Sequence, residues 1–333
     1  QFLKAGYYAT RARLNLDNVP ENGIELLDRS AGDNIRIYVN GQFVSGQGKM
    51  QLPDINYFRV LKKNHFVPAS ALRQGENQID TVLVFGMSRE ATLPAPVFVE
   101  HDTFDEQFGW IAFLQYEVHI ISIVIGVLLS LFLLVTLLRA EKKGFLIWIF
   151  FLTASWTARS LFFFWPNIPF HGEMRGLYYA LATLFLSACW PIVVDKWTNR
   201  DSSWLMYGVL AGFAGGACTI VYWLIFSGDQ AAFTRTEEVL DYLGLAFMGV
   251  TLGRLLWHFG RYGDNRYWEA AFLVLLGLLT SLFLFNNLVW DRNVPYLNLS
   301  QPLFLLFFVI SIYSRNFRLF QSSAQISALL QDK

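Results

Sequence analysis

The residues best placed to do chemistry in this chain are polar groups inside apolar runs. Glu117 and His119 open the first such run, Arg159 lies in the second, Asp241 in the fifth, and the pair Asn286-Asn287 in the sixth. A polar or ionisable side chain at bilayer depth is costly, so each needs a partner or a purpose. One reading is a shared polar cavity in which Glu117 pairs with Arg159 and couples ligand state to helix position. The other is snorkelling to the membrane surface with ordinary interhelical hydrogen bonds. Arg254 and His258, near the end of the fifth run, are expected to snorkel. A second group sits near the N-terminus. Arg11 and Arg13 alternate along Tyr7–Leu16, and Arg36, Tyr57 and Phe58 lie on later strand-like segments. These five form a candidate ligand face, or are the ordinary outward residues of half-buried strands.

Enzyme chemistry finds little support. No Ser-His-Asp arrangement, metal-spaced histidine cluster or pair of candidate carboxylates stands out, and His65 and His101 are isolated. No catalytic residue, metal or cofactor is therefore expected. The H-E-x-x-H pattern of a metalloprotease is absent. No lysine falls in an apolar run, which excludes a retinal Schiff base. Cys189 and Cys218 both lie in apolar segments and read as small buried hydrophobes. Gly212, Gly215 and Gly216 interrupt the fourth run, but no matching second half suggests a transporter repeat; they fit close helix packing. Net charge is zero, with 26 basic and 26 acidic residues, so no basic field points to nucleic acid.

The elements that must position these residues divide in two. The chain is 54% hydrophobic with a mean hydropathy of +0.36, too apolar for an ordinary soluble protein of 333 residues. The apolar residues are concentrated after position 107. Ile120 to Leu138 carries no charge; at ~1.5 Å per residue such a stretch covers the ~30 Å hydrocarbon core. The first span is read as 111–138, followed by 145–165, 177–194, 204–226, 239–257, 269–290 and 302–313. Alternate loops carry nine Lys/Arg (Arg139, Lys142, Lys143, Lys196, Arg200, Arg261, Arg266, Arg315, Arg318) against three (Arg175, Arg235, Arg292). The richer set belongs inside, which puts the N-terminal domain outside and the C-terminus in the cytoplasm.

Residues 1–107 read as about eight short strands, at 7–16, 24–28, 35–39, 42–44, 57–61, 65–67, 78–85 and 96–101. Asn40-Gly41, between Ile37-Tyr38-Val39 and Phe43-Val44, predicts a two-residue hairpin turn. This spacing suggests a β-sandwich or jelly roll. The series Arg36-Ile37-Tyr38-Val39-Asn40-Gly41, Gly46-Gln47-Gly48, Val67-Pro68-Ala69, Leu72 and Gly75-Glu76-Asn77-Gln78-Ile79 resembles the galactose-binding-like jelly roll. That resemblance implies a sugar-binding or a purely structural jelly roll.

With its domain order, N-outside topology and Leu161–Asn167 ending of the second span, the chain resembles bacterial seven-transmembrane receptors with diverse intracellular signalling modules. It departs from that pattern at Arg159, where small or apolar residues are usual. The resemblance implies an all-β, jelly-roll (galactose-binding-like) extracytoplasmic domain at 1–107, a seven-transmembrane helical bundle at 108–314, and a cytoplasmic linker helix at 315–333 that begins a coiled coil. Leu319, Ser322, Ile326 and Leu329 fit a heptad seam and imply a homodimer; a short amphipathic helix on the membrane surface is the other reading. The expected protein is an inner-membrane sensor. It would bind a small-molecule or carbohydrate-like periplasmic ligand, or a periplasmic protein, and signal through a histidine kinase or diguanylate cyclase beyond Lys333. The alternatives are a membrane-anchored binding or scaffold protein without its own output, and a transporter-associated carbohydrate-binding protein.

Overall fold

The computed structural model describes residues 2–262, apart from 29–31, 53–54, 57–63, 87–88, 91–94, 116, 140–142, 166–171, 199–201 and 230, together with 274–275 and 277–278. The expected seventh span and the C-terminal helix lie outside the described residues, as does most of the expected sixth span. Tyr57, Phe58, Asn286 and Asn287 lie outside them too.

The N-terminal region is built from antiparallel sheets. Strands β2 (Gly6–Leu16), β4 (Asn34–Val39), β5 (Gln42–Gln47) and β7 (Gly75–Phe85) form one, in the order β2-β7-β4-β5. Strands β3 (Ile24–Leu27), β6 (Asn64–Val67) and β9 (Val97–Glu100) form the other, in the order β6-β3-β9. A short pair, β1 (Phe2–Leu3) with β8 (Arg89–Glu90), stands apart. Alternation explains the layering. Ile35, Ile37, Val39, Ile79, Leu83 and Phe85 on the first sheet and Ile24, Leu26 and Val67 on the second meet in one core. Each such side chain fully buried contributes about 1.5–3 kcal/mol. The hairpin from β4 to β5 turns at Asn40-Gly41, with φ +51° and +84°, the double positive φ that a type I′ turn requires.

The region expected to be all β ends in a helix. Helix α1 (His101–Gln115) begins directly after β9. Its start is tied to the sheet by the His101 amide donating to the Gly23 carbonyl and by Asn22 Nδ2 donating to the Asp102 carboxylate at 3.0 Å. The polar sequence of 101–107 hid this helix. Its side-chain partners lie some eighty residues away.

Among the described residues, five helices are long and apolar enough to cross a membrane: α2 (Glu117–Arg139), α3 (Gly144–Phe164), α4 (Gly172–Trp197), α5 (Ser203–Val221, continued by a wide π turn at Tyr222–Phe226) and α6 (Ala232–Tyr262). They correspond to the first five of the seven expected spans. α4 and α6 extend beyond the apolar runs that announced them, because their ends carry charged residues held by neighbours. α4 is the central helix: 61% of its span is buried inside the protein, against 28% for α2. It packs against α3, α5 and α6. α2 turns Leu128, Leu131 and Leu138 outward, as a lipid-facing helix does. Hydroxyls within these helices bond their own backbone: Thr153, Thr157, Thr183, Ser187, Thr236 and Thr251 each donate to the carbonyl four residues earlier. Each hydroxyl is thereby satisfied without water.

Helix packing leaves no free room for a side chain at Gly126. A Cβ on Gly126 of α2 would collide with the Thr157 hydroxyl of α3, whereas one on Gly208 of α5 meets nothing within 4 Å. Gly126→Val is expected to cost about 1–3 kcal/mol by forcing the two helices apart. Gly208→Ala is expected to be neutral or slightly stabilising. Melting of the full chain in detergent micelles checks both.

Candidate functional site

The three arginines expected to form a ligand face share one face of the four-stranded sheet. Cross-strand partners fix this: Arg11 lies opposite Asp80, which lies opposite Tyr38, which lies opposite Phe43; Arg13 lies opposite Gln78, and Arg36 opposite Val82. Directly paired residues point the same way, so all of these project away from the core. Arg11 Nε donates to Asp80 Oδ1 at 2.7 Å, and Gln78 Nε2 to Asp80 Oδ2 at 2.7 Å. Arg13 pairs more loosely with Glu76 at 3.7 Å. The Arg36 guanidinium lies 5.7 Å from the Phe43 ring centre, and Tyr38 meets the same ring edge-on at 5.8 Å. Phe43 is 58% exposed. The surface thus offers a solvent-facing aromatic ring flanked by a guanidinium, with an ion pair one strand away. The Arg11 hydrogen bond holds the Asp80 carboxyl below its usual range. Its stabilising contribution is present above an unfolded carboxyl's pKa of about 3.9 and is lost as pH falls through the depressed folded value.

Arg159 comes together with residues the sequence did not single out. It is buried on α3, with its guanidinium 5.7 Å from the Tyr179 ring centre. Tyr179 stacks on Phe162 at 5.5 Å, and Arg175 lies over the other ring system, 5.5 Å from the Phe162 centre. Tyr178 completes the cluster; its hydroxyl donates to the Ala158 carbonyl at 3.1 Å. Two buried arginines from α3 and α4 are therefore clad in aromatic rings at the end of the bundle nearest the sheets. The other expected members are placed differently. Glu117 is exposed at the start of α2, His119 lies two residues further along α2, and Asp241 is half-buried on α6.

Arg175 reaches out of the bundle. It is 3% exposed, and its two terminal nitrogens donate to the backbone carbonyls of Ile55 and Asn56 at 3.0 Å each. Asp33, itself buried in the sheet domain, adds charge attraction. The sequence counted Arg175 only as a loop charge, and no local signal distinguishes it. Its acceptors are main-chain oxygens about 120 residues away.

The opposite end of α4 carries a second polar cluster. Arg254 of α6, expected to snorkel, turns inward instead. Its Nε donates to Asp195 Oδ1 at 2.9 Å; its Nη2 also bonds Asp195 and donates to Ser202 Oγ at 2.5 Å. The Ser202 amide donates to Asp195 Oδ2 at 2.8 Å, closing the ring. The paired carboxylate, hidden among apolar residues at the end of α4, is the reason. Asp195 is 3% exposed, and a guanidinium in reach of a buried carboxylate is better placed there than at the surface. The cysteines are free, Cys189 buried and Cys218 exposed.

No family model matches this chain, and no curated protein matches it at a significant level.

The clasp between α4 and α6 predicts an asymmetry. Asp195→Leu leaves Arg254 without its counter-charge and should cost about 3–5 kcal/mol. Adding Arg254→Met should recover more than half of that loss, because an apolar pair replaces an ionic one. Unfolding of the full chain and both variants in mixed micelles measures it.

Proposed function

We propose that this protein is a bacterial inner-membrane sensor. In this reading the sheet domain is a periplasmic jelly roll of the galactose-binding-like kind. Seven helices, including the 269–290 and 302–313 segments, carry its state across the membrane to a dimerising C-terminal helix. The output is a histidine kinase or diguanylate cyclase beyond Lys333. The observation that carries the reading is the exposed face of the four-stranded sheet, where Arg11, Arg13, Arg36 and Phe43 are displayed on a domain hydrogen-bonded directly to a membrane bundle. An aromatic ring beside a guanidinium suits a carbohydrate-like ligand. The ring covers the apolar face of a sugar, and the guanidinium takes its hydroxyl or carboxylate oxygens. A ligand signals only by favouring one of two arrangements of the domain and bundle.

Calorimetry of the full chain in lipid nanodiscs tests the ligand face, with galactose, maltose and galacturonate as probes. Binding by at least one sugar is expected, weakened about tenfold or more by Phe43→Ala or Arg36→Ala, with no change in melting temperature. Absence of binding by every sugar, or equal binding by the variants, contradicts the carbohydrate reading of this face.

A further inference from the structure

We infer that Arg175 is a latch through which the sheet domain grips α4, and that its hold is passed along α4 to the Asp195–Arg254 clasp at the other end. This rests on the sensor reading. It adds a second route beside the covalent one through α1 and α2.

The latch is well defined on both sides. On the sheet side its acceptors, the Ile55 and Asn56 carbonyls, belong to a segment whose position is set by a short polar network. Asn56 Oδ1 accepts from the Lys49 amide at 2.6 Å, and Asn34 Nδ2 donates to the Lys49 carbonyl at 2.6 Å. Gly48, at φ +76°, leaves room for both asparagine side chains; a Cβ there would lie 2.7 Å from Asn56 Oδ1 and closer still to Asn34. Asn34 is the first residue of β4, so the segment moves with the four-stranded sheet that bears the candidate ligand face. Asp33, just before it, holds the Gly86 amide at 2.8 Å at the end of β7. The latch is therefore wired to β4 and β7, the two central strands of that sheet.

On the membrane side Arg175 lies in the first turn of α4, its guanidinium against Phe162 of α3. Only its terminal nitrogens are engaged by the loop; Nε has no hydrogen-bond partner among the described residues. A guanidinium held by two carbonyls and one carboxylate at a distance is anchored but not saturated. A small displacement of the 55–56 carbonyls breaks both bonds at once. The position of a buried charge then changes, and it must find other acceptors or water. α4 is the most buried of the described spans, so a shift of its head is transmitted by packing rather than absorbed in lipid. Twenty residues on, Asp195 of the same helix holds Arg254 of α6 and the Ser202 amide at the start of α5. One helix thus connects the sheet domain at one end with two neighbouring helices at the other.

Hydrogen exchange on the full chain in nanodiscs, without any ligand, tests this. In Arg175→Met the Lys49 amide and the Ser202 amide are both expected to exchange about tenfold faster, while β7 amides at 79–83 keep their protection. Arg175→Lys, which keeps the charge and a donating nitrogen, should restore most of the protection at both places. Asn56→Ala, which frees the segment from the sheet side and leaves every bundle residue in place, should also speed the Ser202 amide. It keeps the test valid if Arg175→Met does not fold. Unchanged exchange at Ser202 in both Arg175→Met and Asn56→Ala overturns the proposal and leaves Arg175 a local anchor. No sugar enters the experiment, so this outcome is separate from a failure of ligand binding.

Discussion

A guanidinium that is 3% exposed, between a sheet domain and a helix bundle, must be met from both sides or not be there at all. Arg175 is met by two carbonyls of the sheet domain, by the ring of Phe162 and by the charge of Asp33. Leaving such a cation unpaired would cost several kcal/mol, comparable to much of the stability of an ordinary domain. That constraint fixes how the two halves of the protein sit together. The 55–56 segment must lie over the head of α4, so the four-stranded sheet is held above the bundle by more than the single covalent link through α1.

The same logic recurs at the far end of α4, with the partners exchanged. There a buried carboxylate, Asp195, dictates where Arg254 goes, and Ser202 at the start of α5 joins in. Between these ends the helix is apolar and closely packed, and it contains Pro191, which cannot donate to the Ser187 carbonyl. Two clusters of buried apolar side chains fill the bundle. The two charged clusters supply register, since each is satisfied in one arrangement of its helices and left wanting if they slide.

Local pattern made much of this architecture legible. Alternation along Tyr7–Leu16 and the Asn40-Gly41 turn located strands and a hairpin, because strand period and turn chemistry are properties of neighbouring residues. Nineteen uncharged residues announced α2 for the same reason. The extent of α4 was harder to read, since its charged ends are held by Arg175 and Asp195 contacts that no window of sequence contains. The shared face of Arg11, Arg13 and Arg36 required a register across three strands. Arg175 was the least legible residue of all: its hydrogen-bond acceptors are backbone carbonyls, which have no side-chain identity to recognise.

In this architecture α4 crosses a membrane with the sheet domain at its Arg175 end and the Asp195 clasp at the other. Cysteines introduced one at a time at Asn15, exposed on β2, and at Lys143, between α2 and α3, test it most directly in a Cys218→Ser background that keeps only the buried Cys189. A membrane-impermeant maleimide is expected to label Asn15→Cys in cells whose inner membrane is intact, and to label Lys143→Cys only after that membrane is permeabilised. Labelling of both positions before permeabilisation would contradict it.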